Sequence, residues 1–169
     1  MAEKKIRKDS GLYENPAILE KKIWQMLENA TRDRTSECRT PVFICGSKNQ
    51  FDGRTVVLRA ANGAENFLQF HADYRSSKIK TIQENDQAVF VFYDRSEKIQ
   101  LRIKTKCQVH HKNDISRESW LKTQHISRKC YLAESAPGTA LGQPGTGLPE
   151  KYESFQYSQE ESELGFENY

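Results

Sequence analysis

Much is missing from these 169 residues, and each absence narrows the possibilities. No apolar run approaches the ~20 residues of a membrane-spanning helix, and no charged and then apolar leader precedes the first helical pattern. A cytoplasmic protein without a membrane partner is the expectation. The four cysteines, Cys38, Cys45, Cys107 and Cys130, form no CxxC pair, so the spacing argues against a zinc site and no metal ligands are assigned. Widely spaced thiols in a chain of this kind predict free cysteines, with Cys45 and Cys107 buried as small hydrophobes in strands. The formal charge is only +3, from 26 basic and 23 acidic residues. Both signs are interspersed, so there is no overall nucleic-acid signature. Internal repeats are absent.

What is present fits about one domain. Residues 1–12 begin with a run of Lys and Arg and read as a flexible basic arm. Residues 13–135 read as the folded domain, and 136–169 as a Gly/Pro-rich loop leading into an acidic C-terminal segment. Asn15 is placed to cap a helix with Pro16 at its first position. Ile18, Leu19, Ile23, Trp24, Met26 and Leu27 would form that helix's apolar stripe. Residues 41–46 read as a strand, 50–53 as a hairpin turn, and 88–93 and 99–110 as two further strands. On the last, Leu101, Ile103 and Thr105 alternate with Gln100, Arg102, Lys104 and Lys106, which predicts one core face and one charged face. Asn113 or Asp114 should cap a later helix whose apolar members are Ile115, Trp120 and Leu121.

The organising stretch is 54–78. Val56 and Leu58 alternate with Val57 and Arg59, and residues 67–71 alternate less cleanly, so both runs are read as strands joined through Ala61-Asn62-Gly63. The second strand passes directly into Asp73-Tyr-Arg-Ser-Ser-Lys78, a helix start capped by Asp73 or Ser76. Cations are unfavourable there because the helix dipole is positive at that end. Arg75 and Lys78 beside free amides and serine hydroxyls make sense around an anion such as a phosphate. Arg54 and Arg59 are placed to reach the same spot. An ordinary solvated helix start remains the alternative.

The runs 54–59 and 70–78, followed by Tyr93-Asp-Arg95 and Ile99-Gln-Leu-Arg-Ile-Lys-Thr-Lys-Cys107, resemble in order and spacing the flavin mononucleotide site of the pyridoxamine 5'-phosphate oxidase-like family. The resemblance covers roughly residues 16–142. It implies an α+β, mainly β fold: an antiparallel, Greek-key-like split β-barrel with flanking helices, dimerised with the flavin at the subunit interface. FMN is the implied cofactor. Arg54 and Lys78 would hold its phosphate, helped by Ser77, with Arg75 compensating for the basic residue that the oxidase has where Ser77 stands. Thr55, Val56, Val57, Leu58 and Arg59 would run along the ring, His71 and Ala72 along the phosphate side, and Gln100 would bond the ring edge. Arg59 and Arg128 match places where the oxidase contacts its substrate.

The oxidase's C-terminal Trp and Arg residues have no counterpart before Tyr169, where a strand is expected to begin. This leaves open a longer natural chain or a smaller sheet with an unpaired edge. The resemblance therefore implies an FMN-dependent oxidoreductase rather than the oxidase itself, with no catalytic residue assigned. The run 137–141 resembles a subgroup known only as flavin-binding. Two alternatives stand beside this: a flavin- or haem-binding module without turnover, and a nucleic-acid-binding protein using the basic arm and the 102–106 face. Composition speaks against the latter.

Overall fold

Asn15 opens the first helix in the computed structural model, which describes residues 15–48, 50–153 and 157–169. Its Oδ1 accepts from the N–H groups of Ala17 at 3.0 Å and Ile18 at 3.4 Å, and Pro16 takes the first helical position, where an N–H has no partner to lose. The resulting α1 (Pro16–Ala30) buries Leu27 and Ala30, whereas Ile18 at the start of the expected stripe stays half exposed. The basic arm lies outside the described residues.

Six strands follow among the described residues: β1 (Val42–Ser47), β2 (Gln50–Thr55), β3 (Leu58–Asn62), β4 (Phe67–Phe70), β5 (Gln87–Asp94) and β6 (Ile99–Lys106). Helix α2 (Ser77–Glu84) separates β4 from β5. One sheet has the order β2-β1-β5-β6, and β3 pairs with β4 alone. After β6 come α3 (Asp114–Lys122), α4 (His125–Arg128) with a 3-10 turn at Lys129–Leu132, α5 (Glu150–Glu153), and α6 (Gln159–Glu163) with a 3-10 turn at Leu164–Asn168. The architecture is mainly-β α+β. The described residues divide into two units: those up to Val42, Thr55–Phe70 and Val91–Leu101 form one, and those within Phe43–Arg54, His71–Phe90 and Arg102–Tyr169 the other.

In the first unit, β3 and β4 are antiparallel, with Ala61 opposite Leu68 and Asn62 opposite Phe67, and an irregularity between Leu58 and Ala60 that bulges Arg59. Their loop is built by Asn62, whose Oδ1 accepts from Ala64 N at 2.9 Å and Glu65 N at 3.1 Å. Gly63 is required by close approach: a Cβ there would stand 2.6 Å from Trp24 Cγ. Cys38 is fully buried, which pushes its thiol pKa up to about 11, with Asp94 and Glu37 adding to the effect.

In the second unit, Phe43 and Cys45 of β1 and Ala88 and Phe90 of β5 point to the core, the Phe43 and Phe90 rings 5.1 Å apart. Ile79 and Ile82 anchor α2. Asn113 and Ser116 exchange side-chain and backbone bonds to cap α3. A second core gathers Trp120, Tyr131 and Tyr169, with Phe166 packed against it. In the C-terminal stretch, Ser158 and Glu161 form a capping box for α6.

Four expectations are corrected. Residues 50–53 are strand, not turn; the β1–β2 turn falls at Lys48, in the left-handed region with φ 55°. The run 54–59 is not one strand: Thr55 ends β2, Leu58 begins β3, and between them Val56 N donates to Pro41 O at 3.0 Å. Alternation reports which face a residue takes, not which strand its N–H pairs with, so the division was invisible. In α3, Trp120 is buried but Ile115 and Leu121 are 54% and 64% exposed, because the inward face is Ser116–Trp120 at i, i+4. Finally, 164–168 form a 3-10 turn where a strand was expected.

Candidate functional site

The second unit gathers three of the predicted cations. Arg54 is the last residue but one of β2, while Arg75 and Lys78 flank the start of α2. Their partners differ. Arg75 forks onto Asp73, Nε to Oδ1 at 3.0 Å and Nη2 to Oδ2 at 2.7 Å, and its Nη1 donates to Glu134 O at 3.1 Å. Asp73 is buried, and its Oδ1 also accepts Arg75 N at 2.8 Å. The hydrogen bonds that Arg75 donates to Asp73 raise the Arg75 pKa against the opposing pull of burial. Arg75 is thereby neutralised within the loop. Arg54 pairs with Asp52, whose side chain is 61% exposed, a setting in which an ion pair holds weakly.

Lys78 is different. It is half-buried, and among the described residues no carboxylate lies within ion-pair distance of it. Its Nζ donates to Ser76 Oγ at 2.9 Å. Burial lowers its pKa, the Arg54 charge lowers it further, and Asp73 and Cys45 oppose them. The Cys45 thiol on β1 is raised by burial, with Arg54 and Lys78 pulling the other way. Lys78, Arg54 and Cys45 thus share one electrostatic neighbourhood, positive and partly desolvated. The Ser76 side chain makes no capping bond to α2. Ser77, exposed at the first helical position, presents hydroxyl and N–H at the positive end of the helix dipole. Such a place favours an anion.

His71 and Ala72 belong to the same unit, both half-buried. The Nε2 of His71 lies 3.0 Å from Ser119 Oγ, and its ring meets Tyr169 edge-on at 4.9 Å. Arg128 is buried with its donors taken: Nη1 to Glu163 Oε1 at 2.8 Å, Nη2 to Trp120 O at 2.8 Å, and Nε to Thr123 O at 3.1 Å, with its guanidinium 4.7 Å over the Trp120 ring. It closes the C-terminal end of α3.

Thr55, Val56, Val57, Leu58, Arg59 and Gln100 fall in the first unit. Val56 and Leu58 are buried, Val57 half-buried, and Thr55, Arg59 and Gln100 exposed. Sequence reasoning missed Asp73 as the partner of Arg75, although the Asp-x-Arg spacing was visible. It also gave the phosphate to Ser77 and read Ser76, the hydroxyl that Lys78 contacts, as a candidate helix cap.

Against known proteins, residues 21–111 match the family model described as pyridoxamine 5'-phosphate oxidase, FMN-binding domain. No curated protein matches the sequence. A solved structure from Nostoc punctiforme PCC 73102, a pyridoxamine 5'-phosphate oxidase-related, FMN binding protein, superposes with TM-score 0.61 at 20% identity, covering 77% of this chain and 70% of that one. PhzG from Burkholderia lata 383, in complex with tetrahydrophenazine-1-carboxylic acid, gives TM-score 0.62 at 12% identity over 92% of this chain and 70% of its own. At these identities the likeness establishes the fold, the split barrel of that group.

Proposed function

The chain belongs to the family of pyridoxamine 5'-phosphate oxidase FMN-binding domains, and from that premise we propose that it binds FMN and acts as an FMN-dependent oxidoreductase. The observation that carries the reading is Lys78: a half-buried ammonium with a depressed pKa, next to the charge of Arg54 and without a carboxylate of its own among the described residues. A cation held out of water at an energetic cost fits a site whose natural partner is an anion. FMN ends in a phosphate.

Lys78 and Arg54 would neutralise that phosphate, and the Ser77 hydroxyl and first-turn amides of α2 would donate to it. Arg75 would serve from behind, fixing the loop through Asp73 rather than touching the phosphate. Val56, Val57, Leu58, Arg59 and Gln100 remain the family's candidates for the ring, and His71 and Ala72 for the phosphate side. The bound flavin supplies hydride and electron transfer, and the protein supplies position, charge and exclusion of water. Membership also favours a homodimer with flavin at the interface. No helix among the described residues is long and apolar enough to cross a membrane, and a cytoplasmic location fits the reading.

The test is the visible spectrum of the purified protein, recorded after incubation with FMN and desalting. Retained flavin absorption that bleaches with NAD(P)H and returns in air supports an oxidoreductase. Retained flavin that no donor reduces would make the protein a flavin carrier without turnover. A colourless protein defeats the reading.

A further inference from the structure

The loop leading into α2 is gripped by residues 168 and 169 along a continuous set of contacts. Tyr74 N donates to Asn168 O at 2.7 Å, and the Tyr74 ring lies flat on His111, centroids 3.7 Å apart and planes 8° from parallel. His111 in turn places Nδ1 2.9 Å from Tyr169 O. At the start of the loop, His71 Nε2 lies 3.0 Å from Ser119 Oγ, which accepts from the Tyr169 hydroxyl at 2.9 Å. Tyr169 is itself buried against Trp120 and Tyr131. Between these two grips lies Asp73, and directly after them come Arg75, locked to Asp73, and Ser76, whose N–H donates to Asp73 O at 3.0 Å and whose hydroxyl receives Lys78.

We propose that residues 168 and 169, acting through Ser119 and His111, form a positioning strap that sets the loop from His71 to Ser76 and hence the place of Lys78, so that anion occupancy and strap docking reinforce each other. The proposal rests on the phosphate reading of Lys78. Its physical content is linkage. Whatever the strap adds to anion affinity, the anion adds to strap docking. Asn168 and Tyr169 make no contact with Lys78, Arg54 or Ser77, Tyr169 meeting the candidate residue His71 only ring edge to ring face, and both are positioning residues only. Ser119 is the point at which the strap is best interrupted, since it is half-buried on a helix where alanine is the better helix former, and its backbone bond from Thr123 does not depend on the side chain.

The experiment compares FMN and riboflavin binding by the full chain and its Ser119→Ala, Tyr169→Phe and Lys78→Ala variants, with amide exchange read at Tyr74. Ser119→Ala is expected to weaken FMN about fivefold, the factor a neutral hydrogen bond is worth, and to leave riboflavin unchanged. FMN should slow exchange of the Tyr74 N–H in the parent and do so less in Ser119→Ala and Tyr169→Phe. If Lys78→Ala loses FMN affinity while both strap variants bind and protect like the parent, the strap is overturned and the phosphate site stands. Should Ser119→Ala lose riboflavin and FMN alike, the effect is general to the fold and the strap is again overturned. A Lys78→Ala variant that binds FMN like the parent overturns the phosphate reading and the proposal with it.

Discussion

The ammonium of Lys78 donates to Ser76 Oγ at 2.9 Å, and that hydroxyl does not cap α2, the helix it precedes. Ser76 looks in sequence like a helix cap, yet it serves the side chain two residues on. The helix start is thus left with its positive pole uncompensated, beside a second positive charge.

A pH dependence follows. Burial first, and then Arg54, depress the Lys78 pKa below its usual value near 10.5. Between the folded and unfolded pKa values the unfolded chain binds more protons, so stability rises with pH through that window. Below it the charged form is present in both states and its cost is fully felt. Urea midpoints of the parent and Lys78→Met, followed from about pH 8 to about pH 10.5, should shift in favour of the parent as pH rises. Phosphate in the buffer should flatten the difference. A difference constant across the range would show that Lys78 is not strained by its surroundings.

Glu163 gives the same slope in a lower pH range from the opposite cause, a charged form that the fold favours. Burial raises its pKa, but hydrogen bonds from Trp120 Nε1 at 3.0 Å and Arg117 Nη1 at 2.8 Å, with the charge of Arg128, outweigh it and the net shift is downward. Its stabilisation is therefore present above the unfolded carboxylate pKa and is lost as pH falls through the lower folded one. Removing the carboxylate leaves Arg128, only 4% exposed at its side chain, with carbonyls alone. Glu163→Ala should cost about 2 kcal/mol, within the range for hydrogen bonds to charged groups. Glu163→Gln should keep the Trp120 contact and flatten the acid limb of the stability profile. Chemical denaturation near pH 3 and pH 7 distinguishes the two.

Gly63 tests close packing without touching the site. An added Cβ would meet Trp24 Cγ at 2.6 Å and Trp24 Cβ at 2.8 Å, so Gly63→Ala should lose about 1–3 kcal/mol by overpacking. Trimming the neighbour in Gly63→Ala/Trp24→Leu should recover part of that loss, giving a negative coupling in a double-mutant cycle. Additive losses would mean that Trp24 moves aside freely.

How far the sequence could be read depended on the range of the interaction. The Asn15 cap and the alternation along β6 were legible because each is settled within a few residues. The neighbourhood of Arg54, Cys45 and Lys78 was half legible: the residue types pointed to an anion, but which cation was already neutralised depended on Asp73 and on Glu134, 59 residues away. The apolar face of α3 was misread because Ser116 is buried through a capping bond that hydrophobicity cannot register. The role of Arg128 needed Glu163, 35 residues downstream, and nothing local signals such a partner.

The sharpest test separates phosphate from scaffold. Lys78→Ala and Arg54→Ala should each weaken FMN by about 1.5–3 kcal/mol, the range of a charge-assisted hydrogen bond. Lys78 should show the larger loss, since Arg54 is already shared with Asp52. Riboflavin lacks the phosphate and should bind the parent and both variants alike. Arg75→Ala should behave differently, because it strands the buried carboxylate of Asp73; its main loss should appear in folding stability, and both ligands should suffer together. Titration calorimetry with the two flavins, beside a denaturation curve for each variant, yields the four comparisons. Equal losses for FMN and riboflavin at Lys78 would move that residue from the phosphate to the frame of the site, and Arg54 would then need another anion to explain its place.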